Sequence, residues 1–174
     1  MGTTIHTARG HSQKGQALLE MALVTPLLLA MALGVIELGR YAYISILVGS
    51  AARAGAVYGA QGVTYANSSP QLPCSSALTG IQQAACADFS SNGQALGTLE
   101  ISSSVSCGCD TNGSLAPSAC STIINASAGT CINGHWVVMV SVEAAGTFNS
   151  LFNYPGIPKS ITVDRTATMR VAQQ

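Results

Sequence analysis

Residues 15–40 read GQALLEMALVTPLLLAMALGVIELGR, and they form the most apolar stretch of the 174-residue chain. Between positions 17 and 36 the only charged residue is Glu20, and the only other polar residue is Thr25. Twenty helical residues extend about 30 Å, which is the hydrocarbon thickness of a bilayer. A helix in a soluble core is usually shorter and has one polar face. The stretch therefore predicts a membrane-spanning helix, with a kink near Pro26 because proline removes a backbone donor.

The helical pattern continues past this stretch, because residues 37–60 contain no proline and are rich in alanine, leucine and isoleucine. Glu37 and Arg40 are three positions apart and can pair on one helix face. Rows of small residues let another backbone approach closely, whereas a glycine costs a helix about 1 kcal/mol relative to alanine. We therefore expect close packing or local bending here, with fraying after Gly55 as the alternative. The two rows are Ala51, Gly55 and Gly59, and Ala52, Ala56 and Ala60.

The charge content is low and balanced. The chain has seven Lys and Arg against seven Asp and Glu, so its formal net charge is +0. Charged residues make up 8% of the chain, against about a quarter in ordinary soluble domains. The missing basic excess argues against a nucleic-acid partner, and the 48% hydrophobic content argues against a disordered chain. What remains is a chain that enters a membrane or packs against copies of itself.

The segment before the apolar stretch is polar and basic. Residues 1–15 read MGTTIHTARGHSQKG and include Arg9 and Lys14. A cleaved secretory signal has an apolar region of about 7–15 residues followed by a small-residue cleavage site. Here the apolar region is longer and carries Glu20 near its start, which argues against ordinary signal-peptidase cleavage. A carboxylate in hydrocarbon costs at least a few kcal/mol, so it usually has a partner or a function.

A cut after Gly15 would give Glu20 a partner. Gln16 would become the new N-terminus, and Glu20 would be the fifth residue of the mature chain. In a packed array, the amine of one subunit could then neutralise the carboxylate of its neighbour. A subunit in the wrong register would leave both charges unpaired in an apolar environment, which is strongly unfavourable. The alternative is that Glu20 lies close to the membrane surface and reaches water.

The N-terminal region is similar to the processing site of type IV pilin-like proteins. The likeness consists of a basic leader, the pair Lys14-Gly15 and a glutamate five places after the glycine. The run from Gly15 to Gln61 more closely resembles the TadE family of pseudopilins, which belong to the tight-adherence (Tad or Flp) pilus. A weaker likeness occurs over residues 161–171, which end on the pair Met169-Arg170. The residues that carry the resemblance are Gly15-Gln16-Ala17, Glu20, Pro26, Glu37-Leu38-Gly39-Arg40 and Ala51-Ala52-Arg53-Ala54-Gly55-Ala56.

The resemblance implies a minor pseudopilin-like structural protein of pilus biogenesis and adhesion. Its precursor would cross the inner membrane once and would be cut after Gly15 by a prepilin peptidase. Its partners would be the lipid bilayer, other pilins and Tad assembly components, with the C-terminal domain outside the cytoplasm or in a cell-surface pilus. Three regions follow: a leader over 1–15, a transmembrane and extended helix over 16–62, and an extracytoplasmic α+β domain over 63–174.

The region after Gln61 is rich in Ser, Thr, Asn and Gly, and its apolar residues alternate with polar ones. Alternation with period two predicts β-strands. Residues 65–73 contain two prolines and are predicted as a loop. The fold class is therefore α+β, with a long N-terminal transmembrane helix followed by a small, disulfide-containing antiparallel sheet of three or four strands. The predicted elements are a short helix over 79–89 and strands over 99–107, 136–142 and 161–171, the last an edge strand where Arg165 interrupts the apolar face.

All six cysteines follow the apolar stretch: Cys74, Cys86, Cys107, Cys109, Cys120 and Cys131. Disulfides persist in oxidising compartments, so this placement puts the C-terminal region outside the cytoplasm. Cys74 and Cys86 are the expected local pair. Cys107 and Cys109 share a strand face, so we expect each to bond with Cys120 or Cys131, in an order that the sequence leaves open. A metal site is the rival interpretation, but no CxxC pair is present, so we predict no metal and no cofactor.

Motifs of catalysis are absent from the sequence. It contains no GxSxG, HExxH or P-loop pattern. Of the three histidines, His6 and His11 would leave with the leader, which leaves His135. A Ser-His-Asp site at His135 stays open, but we predict that the chain is not an enzyme. The alternative to a pilus role is a membrane-anchored extracytoplasmic binding module that is unrelated to pili.

Overall fold

Over the residues that it describes, a computed structural model of the chain has two α-helices and five β-strands. The model describes residues 12–61, 69–74, 78, 80–92, 97–120, 131, 134–152, 156 and 158–171. The chain divides into two compact units, Met1–Arg40 and Tyr41–Gln174. The predicted α+β class is confirmed: a long apolar N-terminal helix precedes an antiparallel sheet with three disulfides. The elements are α1 (Ser12–Ala60), β1 (Ser69–Pro73), α2 (Gly80–Asn92), β2 (Gly97–Thr111), β3 (Ser114–Ser118), β4 (His135–Asn149) and β5 (Ser160–Arg170).

The first unit contains the apolar part of α1. Every described side chain from position 15 to 32 is exposed, including Leu18 at 72% and Leu23 at 71%. Among the described residues, α1 is the one helix long and apolar enough to cross a membrane. The Thr25 hydroxyl donates to the Met21 carbonyl at 2.6 Å, so this polar group is satisfied within its own helix. Length, composition and exposure all fit a membrane-anchoring span. α1 continues through Pro26, and the kink expected there stays a prediction.

The second unit is built on an antiparallel sheet in the order β1-β2-β4-β5, with β3 also paired to β2. β2 and β4 pair along nearly their whole length, from Gly97 opposite Phe148 to Asp110 opposite His135. The period-two pattern of the sequence explains which face of β2 and β4 is buried. Leu99 and Ile101 of β2 and the alternate valines of β4 are buried, whereas the intervening residues such as Ser104 and Ser106 are exposed.

Two strands were not predicted, so the sheet has five strands instead of three or four. β1 occupies part of the segment predicted as a loop, and its prolines are tolerated because it lies at the sheet edge. β3 returns from β2 through Asn112 and Gly113, which both adopt positive φ, at 54° and 83°. An Asn-Gly pair is the sequence signal for such a two-residue hairpin turn. That signal could have identified β3.

The small-residue rows of α1 pack within the chain. An ideal Cβ placed on Gly55 would lie 3.1 Å from Val142 Cγ1 and 3.2 Å from the Cβ of Ala85. A Cβ on Gly59 would lie 2.8 Å from Val140 Cγ1. These glycines therefore bring the helix backbone close to β4 and α2. The helix does not fray after Gly55 but continues to Ala60. The buried core includes Ile44, Val48, Ala51, Ala52, Ala56, Ile81, Ala85, Phe89, Val140 and Val142.

Gln82 fixes α2 against the sheet. Its side chain is buried, and its Nε2 donates to the Pro70 carbonyl of β1 at 2.8 Å and to the Ile101 carbonyl of β2 at 3.0 Å. Both amide protons are therefore used, which removes most of the cost of burying a polar group. One side chain thus links the helix to the edge strand and its neighbour.

Arg165 lies on the edge strand β5, as predicted for this part of the chain. Its side chain is exposed, and its Nη2 donates to Ser45 Oγ on α1 at 2.6 Å. The guanidinium group therefore reaches across to the helix instead of entering the core, which explains why a charge interrupts the apolar alternation of β5.

Candidate processing and assembly site

Gly15 and Gln16, the residues on either side of the expected cut, lie in the first turns of α1. Both are exposed, and an ideal Cβ on Gly15 would have no atom within 4 Å. The described helix begins at Ser12, so the expected boundary between leader and helix falls inside a helical segment. Because glycine weakens a helix by about 1 kcal/mol relative to alanine, local opening is easier at Gly15 than at its neighbours.

Glu20 lies on the same side of α1 as Gln16, one helical turn further along. Its side chain is exposed, as are those of its chain neighbours Leu19 and Met21, which are 66% and 67% exposed. Within the part of the chain that the structure describes, the Glu20 carboxylate makes no hydrogen bond or ion pair. A carboxylate on an apolar helix surface is costly in lipid, so this geometry suits a residue whose partner comes from another molecule or from the N-terminal amine.

A second charged feature follows the apolar stretch. Arg40 Nη1 donates to Glu37 Oε2 at 3.0 Å, which is the pair expected from their spacing. The side chains are 22% and 12% exposed, respectively. Two opposite charges that neutralise each other are less costly near a membrane boundary than either charge alone.

The structure joins all six cysteines in disulfides. Cys74 bonds with Cys86, the local pair named from the sequence, and thereby links the end of β1 to α2. Of the two arrangements left open, the structure has Cys107 with Cys120 and Cys109 with Cys131. Because Cys107 and Cys109 are both in disulfides, the free thiolates that a metal site would require are not present in this arrangement.

His135 and Asp110 form a pair that sequence reasoning missed. They stand opposite each other on β4 and β2, with 3.7 Å between His135 Nε2 and Asp110 Oδ2. Asp110 also accepts a hydrogen bond from the Gly113 backbone N–H at 2.9 Å, so it helps to hold the β2–β3 turn. Among the described residues, no serine hydroxyl bonds to His135.

Helix α1, which contains Gly15, Gln16 and Glu20, also matches a known protein family. Residues 15–57 match the family model of TadE-like proteins. This match confirms the predicted family resemblance, and it includes Gly15, Gln16 and Glu20. The TadE-like segment, residues 15–57, indicates a Tad pilus-associated protein, and its apolar helix fits a membrane-anchored one. No curated protein and no solved structure matches the chain significantly.

Of the three disulfides, Cys74–Cys86 is expected to contribute most to stability. Replacing Cys74 and Cys86 together with alanine should lower the free energy of unfolding by about 2–4 kcal/mol, because the bridge restricts the unfolded chain. It also releases α2, in which Cys86 is buried. The measurement is urea unfolding of the full chain in detergent, followed by Trp136 fluorescence.

The matched control is the double alanine variant of Cys109 and Cys131, which are both half-buried. Their loop is longer, 22 residues against 12, so loop entropy alone would make this bridge the stronger one by about 0.5 kcal/mol. A loss in the control that is larger by about 0.5 kcal/mol or more would show that the packing of α2 adds nothing to the Cys74–Cys86 bridge. An equal loss would already contradict the expectation that this bridge contributes most.

Proposed function

We propose that the chain is a minor pseudopilin-like structural protein of Tad pilus assembly, contributing to pilus biogenesis and adhesion. Its precursor is cut after Gly15 by a prepilin peptidase, and the mature chain begins at Gln16. The observation that carries the proposal is the TadE-like segment, which begins at Gly15 and contains a solvent-exposed Glu20 on an apolar helix. A cut at this place leaves a new amine one helical turn from that carboxylate.

The proposed orientation places the sheet outside the cytoplasm, with a single pass through the inner membrane. Its support is chemical, because the three disulfides all belong to the second unit and disulfides persist in oxidising compartments. The proposed partners are the prepilin peptidase, other pilins, Tad assembly components and the lipid bilayer. The balanced charge of the chain supports the absence of nucleic acid from this set.

We propose further that the chain has no enzymatic activity of its own. In the pair of His135 and Asp110, the histidine is exposed, and the half-buried aspartate accepts a hydrogen bond from Gly113 of the adjacent hairpin turn. A catalytic dyad needs a nucleophile within hydrogen-bond reach of the base. The role proposed for the chain is therefore structural.

Processing is tested by the mass of the mature chain. In cells that contain the prepilin peptidase, we expect intact-mass spectrometry to find a chain that begins at Gln16. Replacing Gly15 with leucine should leave the precursor uncut, because the side chain would block the close approach of the peptidase to the scissile bond. The control is Gly34→Leu, since an added Cβ meets no atom within 4 Å at either glycine. A wild-type chain that still begins at Met1 would contradict the proposal.

The alternative is a membrane-anchored binding module, and one observation favours it. The family match ends at residue 57 and therefore leaves out all five strands. This alternative predicts an unchanged mass in cells with and without the peptidase, and the same cellular location when the pilus genes are deleted. Loss of the mature form on deletion of the peptidase gene would exclude it.

A further inference from the structure

The connection between β4 and β5 lies at the end of the second unit that contains Tyr41. Four contacts give the direction of β4 relative to α1: Gly59 lies against Val140, Gly55 against Val142, Val48 against Gly146 and Tyr41 against Phe148. Residue numbers fall along α1 as they rise along β4, so the two elements run antiparallel. The end of β4 is therefore at the same end of the unit as Tyr41.

The contact at that end is specific. The rings of Tyr41 and Phe148 meet edge to face, with 5.8 Å between their centroids and 85° between their planes. Phe148 pairs with Ile161 across β4 and β5, and the backbone N–H of Ser150 donates to the Lys159 carbonyl at 2.9 Å. The base of the β4–β5 connection is thus held next to the first residue of the unit.

The described residues at this end of the sheet include exposed apolar side chains, two in the connection and one at the start of β5. Leu151 is 61% exposed, Phe152 is 42% exposed and Ile161 is 37% exposed. We call these three residues the apolar rim. The Ser150 hydroxyl donates to the Phe152 carbonyl at 2.7 Å, so part of the rim's backbone is satisfied locally. Lys159 is exposed beside it. Apolar side chains with an adjacent cation are typical of segments that lie in the headgroup layer of a membrane.

The length of chain between the apolar span and the rim is compatible with a contact between the rim and the headgroup layer. Tyr41 is five residues after Ile36, which is about 7.5 Å of helix. The headgroup layer is about 5–8 Å thick on each side of the hydrocarbon core. Leu151 is three residues beyond Phe148, or about 10 Å of extended chain. These chain lengths are short enough to allow the rim to contact the headgroup layer on the side of the bilayer where the helix emerges.

We propose that the apolar rim is a membrane contact, which inserts Leu151 and Phe152 into the headgroup layer of the phospholipid bilayer that α1 spans. This contact gives the sheet unit an attachment to the lipid surface in addition to α1. The inference depends on the membrane-spanning helix and not on the pilus role. An uncut precursor would make the same contact, so failure of the processing experiment leaves this proposal intact.

The test uses the full chain in nanodiscs of phosphatidylethanolamine and phosphatidylglycerol, with one chain per disc. Phe152→Trp is introduced in a Trp136→Phe background, so that the new indole is the only one in the chain. Some lipids carry bromine close to the headgroup end of the acyl chain, and bromine quenches nearby tryptophan. We expect the Phe152→Trp variant to lose most of its fluorescence in the brominated discs.

The matched control is Leu115→Trp in the same background. Leu115 is 41% exposed, almost the same as Phe152, but it pairs with Asp110, which stands opposite His135 at the other end of β4. The 15 residues of β4, from His135 to Asn149, correspond to roughly 45 Å of strand. We expect no quenching of this variant. Equal quenching of both variants, or quenching of neither, would overturn the proposal, and Leu151→Trp provides a second reporter if Phe152→Trp fails to fold.

Discussion

Gly146→Ala is expected to destabilise the second unit by about 2 kcal/mol, since overpacking a core usually costs about 1–3 kcal/mol. An ideal Cβ on Gly146 would collide with Val48 Cγ2, at a separation that real Cβ atoms essentially never show. Neither partner can move easily. Val48 is fully buried and β-branched, and Gly146 lies on β4 between Leu99 of β2 and Val163 of β5. Urea unfolding of the full chain in detergent, followed by Trp136 fluorescence, measures the loss.

The control for this variant is Gly49→Ala. A Cβ on Gly49 would lie 3.9 Å from Arg165 Cγ, which is ordinary van der Waals contact. Alanine also favours the helix there by about 1 kcal/mol, so this variant should be as stable as the parent or more stable. A loss at Gly49 as large as the loss at Gly146 would point to a general sensitivity to glycine replacement and would contradict the steric argument.

Val48→Ala is expected to relieve the clash that Gly146→Ala creates. Alone it removes two buried methyl groups and should cost about 2 kcal/mol. Combined with Gly146→Ala it makes room for the new Cβ, so the double variant should lose at least about 1 kcal/mol less than the sum of the single losses. Additive losses would show that the two residues do not share the contact.

The helices and the long strands follow from local patterns in the sequence. The apolar stretch and the absence of proline after Pro26 were enough to predict α1, and α1 does extend to Ala60. Alternation around Leu99 and Val140 was enough to predict β2 and β4, because each strand buries one face. β1 was missed because its prolines argue against a strand unless the strand is known to lie at an edge, and that is a property of the whole sheet.

Contacts between distant segments could not be predicted in the same way. Gly146 has no local signal that distinguishes it from a glycine in a loop, because its role depends on where Val48 passes over β4. The order of the disulfides of Cys107 and Cys109 depends likewise on chain segments that meet only in the folded unit. At the N-terminal site the sequence is more informative than the contacts within the fold. Glu20 is conspicuous in the sequence, and the described residues offer it no partner of its own.

Glu20→Ala is expected to abolish incorporation of the chain into pilus assemblies while leaving its membrane insertion intact. The helix keeps its apolar length without the carboxylate, so insertion should be at least as favourable. What is lost is the charge that the N-terminal amine of a neighbouring chain would pair with. Leaving that amine unpaired in an apolar contact costs several kcal/mol, which is enough to reduce assembly by more than about a hundredfold. Membrane fractionation and immunoblotting of sheared pilus fractions measure the two effects separately.

Thr25→Ala is the matched control, because Thr25 is the other polar residue between positions 17 and 36 and its hydroxyl is satisfied by Met21 of its own helix. It should assemble normally. Glu20→Gln separates charge from hydrogen bonding, since it keeps the size of the side chain and removes its charge. If charge pairing between chains sets the register, this variant should fail as completely as Glu20→Ala. Normal assembly of the alanine variant would instead show that Glu20 pairs within its own chain or reaches water, and the register would then have to come from apolar packing alone.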